Sequence, residues 1–371
     1  MSKRAFRWAL VCVIVSFLGL VGAGVWGAHV VMSYPLRPHA GAGRVMTLKV
    51  SKGMRFPEVA EAAADAGLIE KPTWFRIYAM YRGLANKVRA GTYELRDDLP
   101  PRDVLDALVK GVEEIDVAVT IPEGKNLEEV FALIADAGIA PVADLEAVAR
   151  DAEWLKQEGI EGETAEGYLF PDTFRWKKPT PAKNVLETMV KKHRVVYDDL
   201  RKKHEKTLEK LQKQLNWGNR EIVILASIVE KETAEPSERP RVASVFVNRM
   251  TMASFPSKRL ETDPTVRYGC LVAVAPSKPV SCIGWDPAGR LHRAQLDDAT
   301  NRYNTYQHAG LPPGPIANPG RGALEAAMAP ESSQYLFFVA KDASGQERGR
   351  GPHVFSKTYE EHTKWVAKYQ K

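Results

Sequence analysis

Cysteine is scarce in this chain. There are three in 371 residues, with no Cys-x-x-Cys pair, and the eight histidines are scattered. That excludes the usual structural zinc sites, which need four closely spaced thiolate or imidazole ligands. A dominant charge sign is also missing: 52 basic residues stand against 46 acidic ones, for a net charge of +6. The basic residues form no basic-aromatic module, so composition argues against a nucleic-acid partner. Disorder is excluded as well, because 44% hydrophobic residues over this length supply ample core for two or three domains.

Another absence is local. No charged residue occurs from Trp8 to Ala28, a run long enough to cross a bilayer, and Lys3, Arg4 and Arg7 precede it. Basic residues stay on the cytoplasmic side, so residues 1–7 read as a cytoplasmic tail, 8–28 as a single transmembrane helix and the remainder as exported. A cleaved signal peptide is the competing reading, supported by the glycine-rich end of the run. Export leaves Cys270 and Cys282 as the available pair, because Cys12 lies in the apolar run. They flank a short segment containing Pro276 and Pro279, which suits a hairpin closed by a disulfide.

Residues 29–44 read as a linker rich in proline and glycine. Strand Val45 to Val50, helices Phe56 to Ala66 and Thr73 to Tyr81, strand Gly91 to Leu95 and helix Pro101 to Val109 follow. This βααβ order over 45–115, with its Gly-x-x-Phe start, resembles a LysM-like module, which implies binding to N-acetylglucosamine polymers. An echo follows at an offset of 71: Gly53, Phe56, Val59, Asp65, Ala66 and Gly67 reappear as Gly124, Leu127, Val130, Asp136, Ala137 and Gly138. Duplication and shared turn punctuation both account for it. Further on, Gly167 to Phe174 is an aromatic stretch around Pro171, suited to a sugar face or to a core-facing turn. Lys183 to Leu215 carries the pattern of one or two solvated helices.

The stretch from Asn219 to Thr233 has too much apolar surface for the outside of a domain. Ile222, Leu225, Ala226 and Val229 form one stripe, and Val223, Ile224 and Ile228 fill most of the rest. Asn219 suits the cap, Glu221 the positive dipole end, and Pro236 the stop. Yet this buried helix ends in Glu230-Lys231-Glu232. Burying a carboxylate is costly unless it is paired or protonated. The wheel turns Lys231 outward and puts the glutamates on opposite flanks, so only one of them looks into a given cleft. A solvated helix end is the plainer alternative.

Four motifs follow one another from this helix onward: Leu225 to Thr233 (LASIVEKET), Val242 to Arg249 (VASVFVNR), Glu261 to Val266 (ETDPTV), and Tyr303 to Tyr306 leading into Gly310 to Pro319 (GLPPGPIANP). In this order they resemble the YceG-like family of endolytic murein transglycosylases. The resemblance implies an α+β protein with a single N-terminal membrane helix. A mixed catalytic domain would occupy 116–365 around the buried helix, on the periplasmic side of the inner membrane. It implies cleavage of the MurNAc-β-1,4-GlcNAc bond within glycan strands to 1,6-anhydro ends, and a role in ending strand elongation. No metal or organic cofactor is implied. Peptidoglycan strands are the implied partner, with peptidoglycan synthases (penicillin-binding proteins) beside it, and no nucleic acid. The catalytic acid falls on Glu232.

One carboxyl group suffices for such chemistry, because the sugar's own 6-hydroxyl replaces the attacking water; ordinary glycosidases usually need two. Glu230, Asp263, Tyr303, Asn304 and Asn318 are the candidate substrate contacts. Each has a structural alternative: a surface charge, a turn before Pro264, a packed ring, a cap, and a rigid loop residue. Cys270 to Ala288 departs from the family's pattern as an inserted loop. Two other functions are weighed against the leading one. The first is a water-using muramidase with Asp263 or Asp172 as second carboxylate, and the second is a wall-binding scaffold without activity.

Overall fold

The computed structural model describes residues 21–22, 29, 33–112, 115–272, 278–286, 289–341 and 352–369. Among these no helix is long and apolar enough to cross a membrane. Residues 8–20 and 23–28 of the expected span lie outside them. The chain divides into two compact units, one through Glu114 and one from Ile115 onward. Among the described residues, helices and three two-stranded antiparallel sheets make a mixed fold.

In the first unit, strand β1 (Val45–Val50) is followed by helices α1 (Phe56–Asp65) and α2 (Pro72–Tyr81), strand β2 (Gly91–Arg96) and helix α3 (Pro101–Lys110). β1 and β2 pair with Val45 opposite Arg96 and Val50 opposite Gly91. Alternation along both strands turns Leu48, Val50 and Tyr93 inward, onto Phe56, Phe75 and Leu105. α1 stops because Gly67 adopts φ +72° and the Leu68 amide reaches back to the Ala63 carbonyl.

The second unit opens with strand β3 (Ile115–Thr120), helices α4 (Leu127–Asp136), α5 (Val142–Ala149) and α6 (Ala152–Gln157), then strand β4 (Thr173–Lys178), which pairs with β3. The echo is visible in the backbone. Gly124 and Gly138 take positive φ like Gly53 and Gly67, and the Ile139 amide reaches the Ile134 carbonyl just as Leu68 reaches Ala63. The expected long helical stretch is two helices, α7 (Ala182–Lys203) and α8 (Glu205–Leu215). The backbone leaves helical geometry at His204, which is anchored to Glu325 at 2.8 Å.

Helix α9 (Asn219–Glu232) is the centre of this unit, and every side chain from Ile222 to Val229 is buried. It packs on α10 (Arg239–Thr251), α11 (Asp263–Val272) and, beyond the short α12 (Arg293–Leu296), on α13 (Arg321–Met328). Strands β5 (Phe337–Ala340) and β6 (His353–Ser356) and helix α14 (Tyr359–Tyr369) complete the unit. Gly218, rather than Asn219, occupies the cap, where its amide donates to Glu221 at 2.8 Å. Asn219 is the first helical residue and instead accepts from the Tyr197 hydroxyl at 3.2 Å. The sequence pattern misplaced the cap by one residue because glycine has no side chain to advertise the role.

Candidate active site

Helix α9 brings both glutamates of the Glu-Lys-Glu end into the protein, but into different surroundings. The Glu230 side chain is 6% exposed and both of its oxygens are used. One accepts from Arg239 Nη2 at 3.0 Å and the other from the Gly320 amide at 2.9 Å. Arg239 also reaches Glu123, and Lys231 donates to the Gly124 carbonyl at 3.1 Å, so this flank ties α9 to the turn after β3 and to the loop before α13. Burial raises the Glu230 pKa against the opposing pull of the Gly320 amide and Arg239.

Glu232 lies on the other flank. Its Oε1 is buried without a hydrogen-bond partner among the described residues, and so is Thr262 Oγ1 nearby. Burial pushes its carboxyl up to about 7. The Thr262 side chain works against that rise, the negative charge of Asp263 adds to it, and Arg249 opposes it. Near neutral pH such a group is divided between acid and conjugate base, as proton transfer in both directions requires.

Thr262 and Asp263, which both act on Glu232, belong to the Leu260–Asp263 segment, which is held by several ties. Arg249 donates to the Leu260 carbonyl at 2.6 Å and to the Leu336 carbonyl at 2.7 Å, with its guanidinium against the rings of Phe255 and Phe337. Thr305, 1% exposed, accepts from the Glu261 amide through its carbonyl and from the Thr262 amide through its hydroxyl. The Tyr306 hydroxyl donates to Asp263 Oδ1 at 2.8 Å. Glu261 adopts φ +53°, a left-handed conformation that a non-glycine residue holds only when its surroundings enforce it. Asp263 is exposed and begins α11, where its charge suits the helix dipole.

The remaining candidates are placed elsewhere. Asn304 is fully buried, donates to the carbonyls of Gln295, Leu296 and Asp298, and accepts from the Tyr306 amide. Asn318 is also fully buried; it accepts from the amides of Gly167 and Leu169 and donates to the Lys125 carbonyl and to Glu166. Neither amide has an atom to spare for a sugar, so both serve as ties between loops. Glu230 is likewise committed to protein partners. Tyr303 packs edge-on against Tyr268, with centroids 5.0 Å apart, and lines a cavity of about 530 Å³ that does not include Glu232. Asp172 is paired with Lys192 at 2.8 Å, and it is absent from the charges acting on Glu232. Cys270 and Cys282 are joined, with Cα atoms 5.2 Å apart, closing the end of α11 onto the loop that follows it.

Sequence reasoning missed Glu166, a buried carboxyl that accepts from the Leu127 amide at 3.1 Å and the Tyr268 hydroxyl at 3.0 Å, and that burial pushes up to about 8. It directly precedes the aromatic stretch, and that adjacency was the only available signal. Tyr306, Thr305 and Arg249 stood inside the quoted motifs without a role; their hydrogen bonds hold the segment that carries Thr262 and Asp263.

The chain is similar to several known proteins. The Endolytic murein transglycosylase of Bacillus subtilis is 28% identical, over 87% of this chain and 84% of its own length. The protein of that name from Streptococcus pneumoniae is 27% identical over 97% of this chain, which spans 65% of the streptococcal length. The crystal structure of a yceG-like protein from Listeria monocytogenes, 27% identical, covers 87% of this chain and all of its own with a TM-score of 0.53. A model of the YceG-like family matches residues 48–368, so the chain belongs to the YceG-like family.

Proposed function

We propose that this protein is an endolytic murein transglycosylase with Glu232 as its catalytic acid and base. The observation that carries this reading is the bare Oε1 of a buried carboxyl whose pKa is raised to about 7, at the end of a rigid core helix. The names of the relatives agree with it. Glu232 in its acid form donates a proton to the glycosidic oxygen while the bond from that oxygen to C1 of N-acetylmuramic acid breaks. The N-acetylglucosamine hydroxyl leaves. Glu232, now a carboxylate, takes the proton from the muramyl 6-hydroxyl, whose oxygen closes on C1 to form the 1,6-anhydro ring. The acid is thereby restored and no water is consumed. Asp263 lies close enough to influence Glu232, and its negative charge favours the positive charge that develops at C1.

The Trp8–Ala28 run supports a single-pass inner-membrane anchor with the catalytic unit in the periplasm. The βααβ order of the first unit supports a LysM-like grip on glycan. Such a protein would work beside peptidoglycan synthases and end growing strands. A muramidase is the second reading, favoured by one observation: an exposed carboxylate, Asp263, beside the acid.

Purified uncrosslinked murein strands test the assignment. Wild-type protein should shorten long strands by internal cuts, while Glu232→Gln, which keeps the shape and loses the proton, should slow cleavage roughly 100- to 10,000-fold. Full activity in the variant would overturn Glu232 as the acid.

A further inference from the structure

The cavity beside Tyr303 has a fixed polar floor and a charged rim. Its inner wall is built from fixed groups: Glu166 is 2% exposed and bonded to the Tyr268 hydroxyl, the Leu127 amide and the Asn318 amide. The walls meet closely. A Cβ on Gly269 would lie 2.0 Å from Asn301 Oδ1, and one on Gly314 would lie 3.1 Å from the Tyr303 hydroxyl. Around this pre-formed floor the lining carries charges of both signs, including Arg220 and Arg302 on one side of the balance and Glu128 and Glu163 on the other.

These charges bear on the same ring. Glu166 and Glu163 act on the Tyr303 hydroxyl in one direction, Arg220 and Arg302 in the other. Arg220 is held by two backbone carbonyls, Glu161 and Pro313, so its charge is oriented but not neutralised. Arg302, Glu128 and Glu163 are exposed at the cavity's rim and are engaged by no ion pair or side-chain hydrogen bond among the described residues. A naked murein strand offers the arginines its lactyl carboxylates but offers the glutamates no cation. A short peptide with free carboxylate and ammonium groups satisfies both sets.

Helix α11 connects this cavity to the acid. The charge of Asp263, its first residue, acts on Glu232, while Tyr268, Gly269 and Val272 farther along line the cavity. At about 1.5 Å per residue they lie roughly 8 to 14 Å along the axis from Asp263. That is the reach of a short side branch on a strand seated at Glu232. The same cavity wall includes Pro279, from the loop that the Cys270–Cys282 bond fastens to α11.

We infer that this cavity binds the peptide stem of the murein strand, a zwitterionic short peptide, and so selects stem-bearing over naked glycan. The inference rests on the transglycosylase reading for its substrate, but peptide binding can be measured without cleavage. Two sets of uncrosslinked strands, one intact and one stripped of its stems by an amidase, would be given to the full-length protein in detergent. Wild type should cleave the intact strands with about tenfold higher kcat/KM, the worth of one charge-assisted contact. Arg302→Glu and Glu163→Arg should each remove most of that preference while leaving cleavage of naked strands unchanged. Free stem tetrapeptide should bind Glu232→Gln protein saturably in calorimetry, and Arg302→Glu introduced into that background should abolish the binding.

Equal rates on both substrates, or variants that slow both alike, would overturn the inference while the transglycosylase reading stood. If wild type cleaved neither substrate, that reading would fail, and the calorimetry would still decide the cavity: binding lost in Arg302→Glu supports it, and no binding in either protein defeats it.

Discussion

Two flanks of one helix end treat their carboxyl groups in opposite ways. On one flank Glu230 has each oxygen bonded, one to Arg239 and one to the Gly320 amide. On the other, Glu232 keeps Oε1 buried and bare. Glu166, elsewhere in the same unit, resembles Glu230 in being fully bonded, although burial raises the pKa of all three. A raised pKa therefore does not distinguish these three carboxyls; the unsatisfied oxygen sets Glu232 apart. Natural interiors rarely leave a polar atom unpaired, because each such atom costs about 1 to 3 kcal/mol, so the deficit at Glu232 marks a place where the fold gives up stability.

The largest effect should come from exchanging the two flanks' fates. Glu232→Gln should remove activity by the factor given above and leave the fold intact. At pH 8 it should also raise stability by about 1 to 3 kcal/mol, since no buried charge then forms. Glu230→Ala should do the reverse. It strands the buried Arg239 guanidinium and should cost about 3 to 5 kcal/mol in denaturant unfolding, with activity falling only as the population unfolds. An inactive but stable Glu230→Ala would break the comparison.

A smaller effect should come from the staple. Reducing Cys270–Cys282, which encloses a separation of 12 residues, should lower unfolding stability by about 2 to 4 kcal/mol. Titration should sharpen the picture further. Glu232 and Glu166 are raised from 4.5 to about 7 and about 8, so the folded state holds their protons more tightly than the unfolded state. Their contribution is complete below about pH 4.5 and is lost as pH rises through 7 and 8. His193, buried and pushed down to about 4, works oppositely, with stability lost as pH falls from about 6.5 to 4. The rate of bond cleavage should decline above about pH 7 as the Glu232 proton is lost, a limb that Glu166→Gln leaves in place. The smallest expected effect is Tyr306→Phe, which frees Asp263 Oδ1 and should slow kcat several-fold, about 1 kcal/mol, with little change in stability.

How much of this was legible in the sequence depended on whether the signal was local. The buried helix announced itself through its apolar circumference, and α1 begins at the expected Phe56 because apolar spacing and a stop glycine are read within a dozen residues. Glu232 stood out by conflict, a carboxylate closing an apolar run. What stayed hidden was long-range. Asn318 bonds Gly167 and Leu169, about 150 positions away, and nothing near it says that its amide is spent on backbone. Thr305 meets Glu261 and Thr262 by the same kind of distant pairing. Glu166 looked like any loop glutamate until α4 and α11 closed over it.

The central claim is that one carboxyl group, Glu232, makes and unmakes the proton transfer while the sugar supplies its own nucleophile. Mass analysis of muramyl ends released in ¹⁸O-water tests it most directly. The account predicts anhydro ends, lighter by one water than hydrolysed ends and free of ¹⁸O. Reducing ends that carry one ¹⁸O atom would contradict it, and would make Asp263 the carboxylate that activates water.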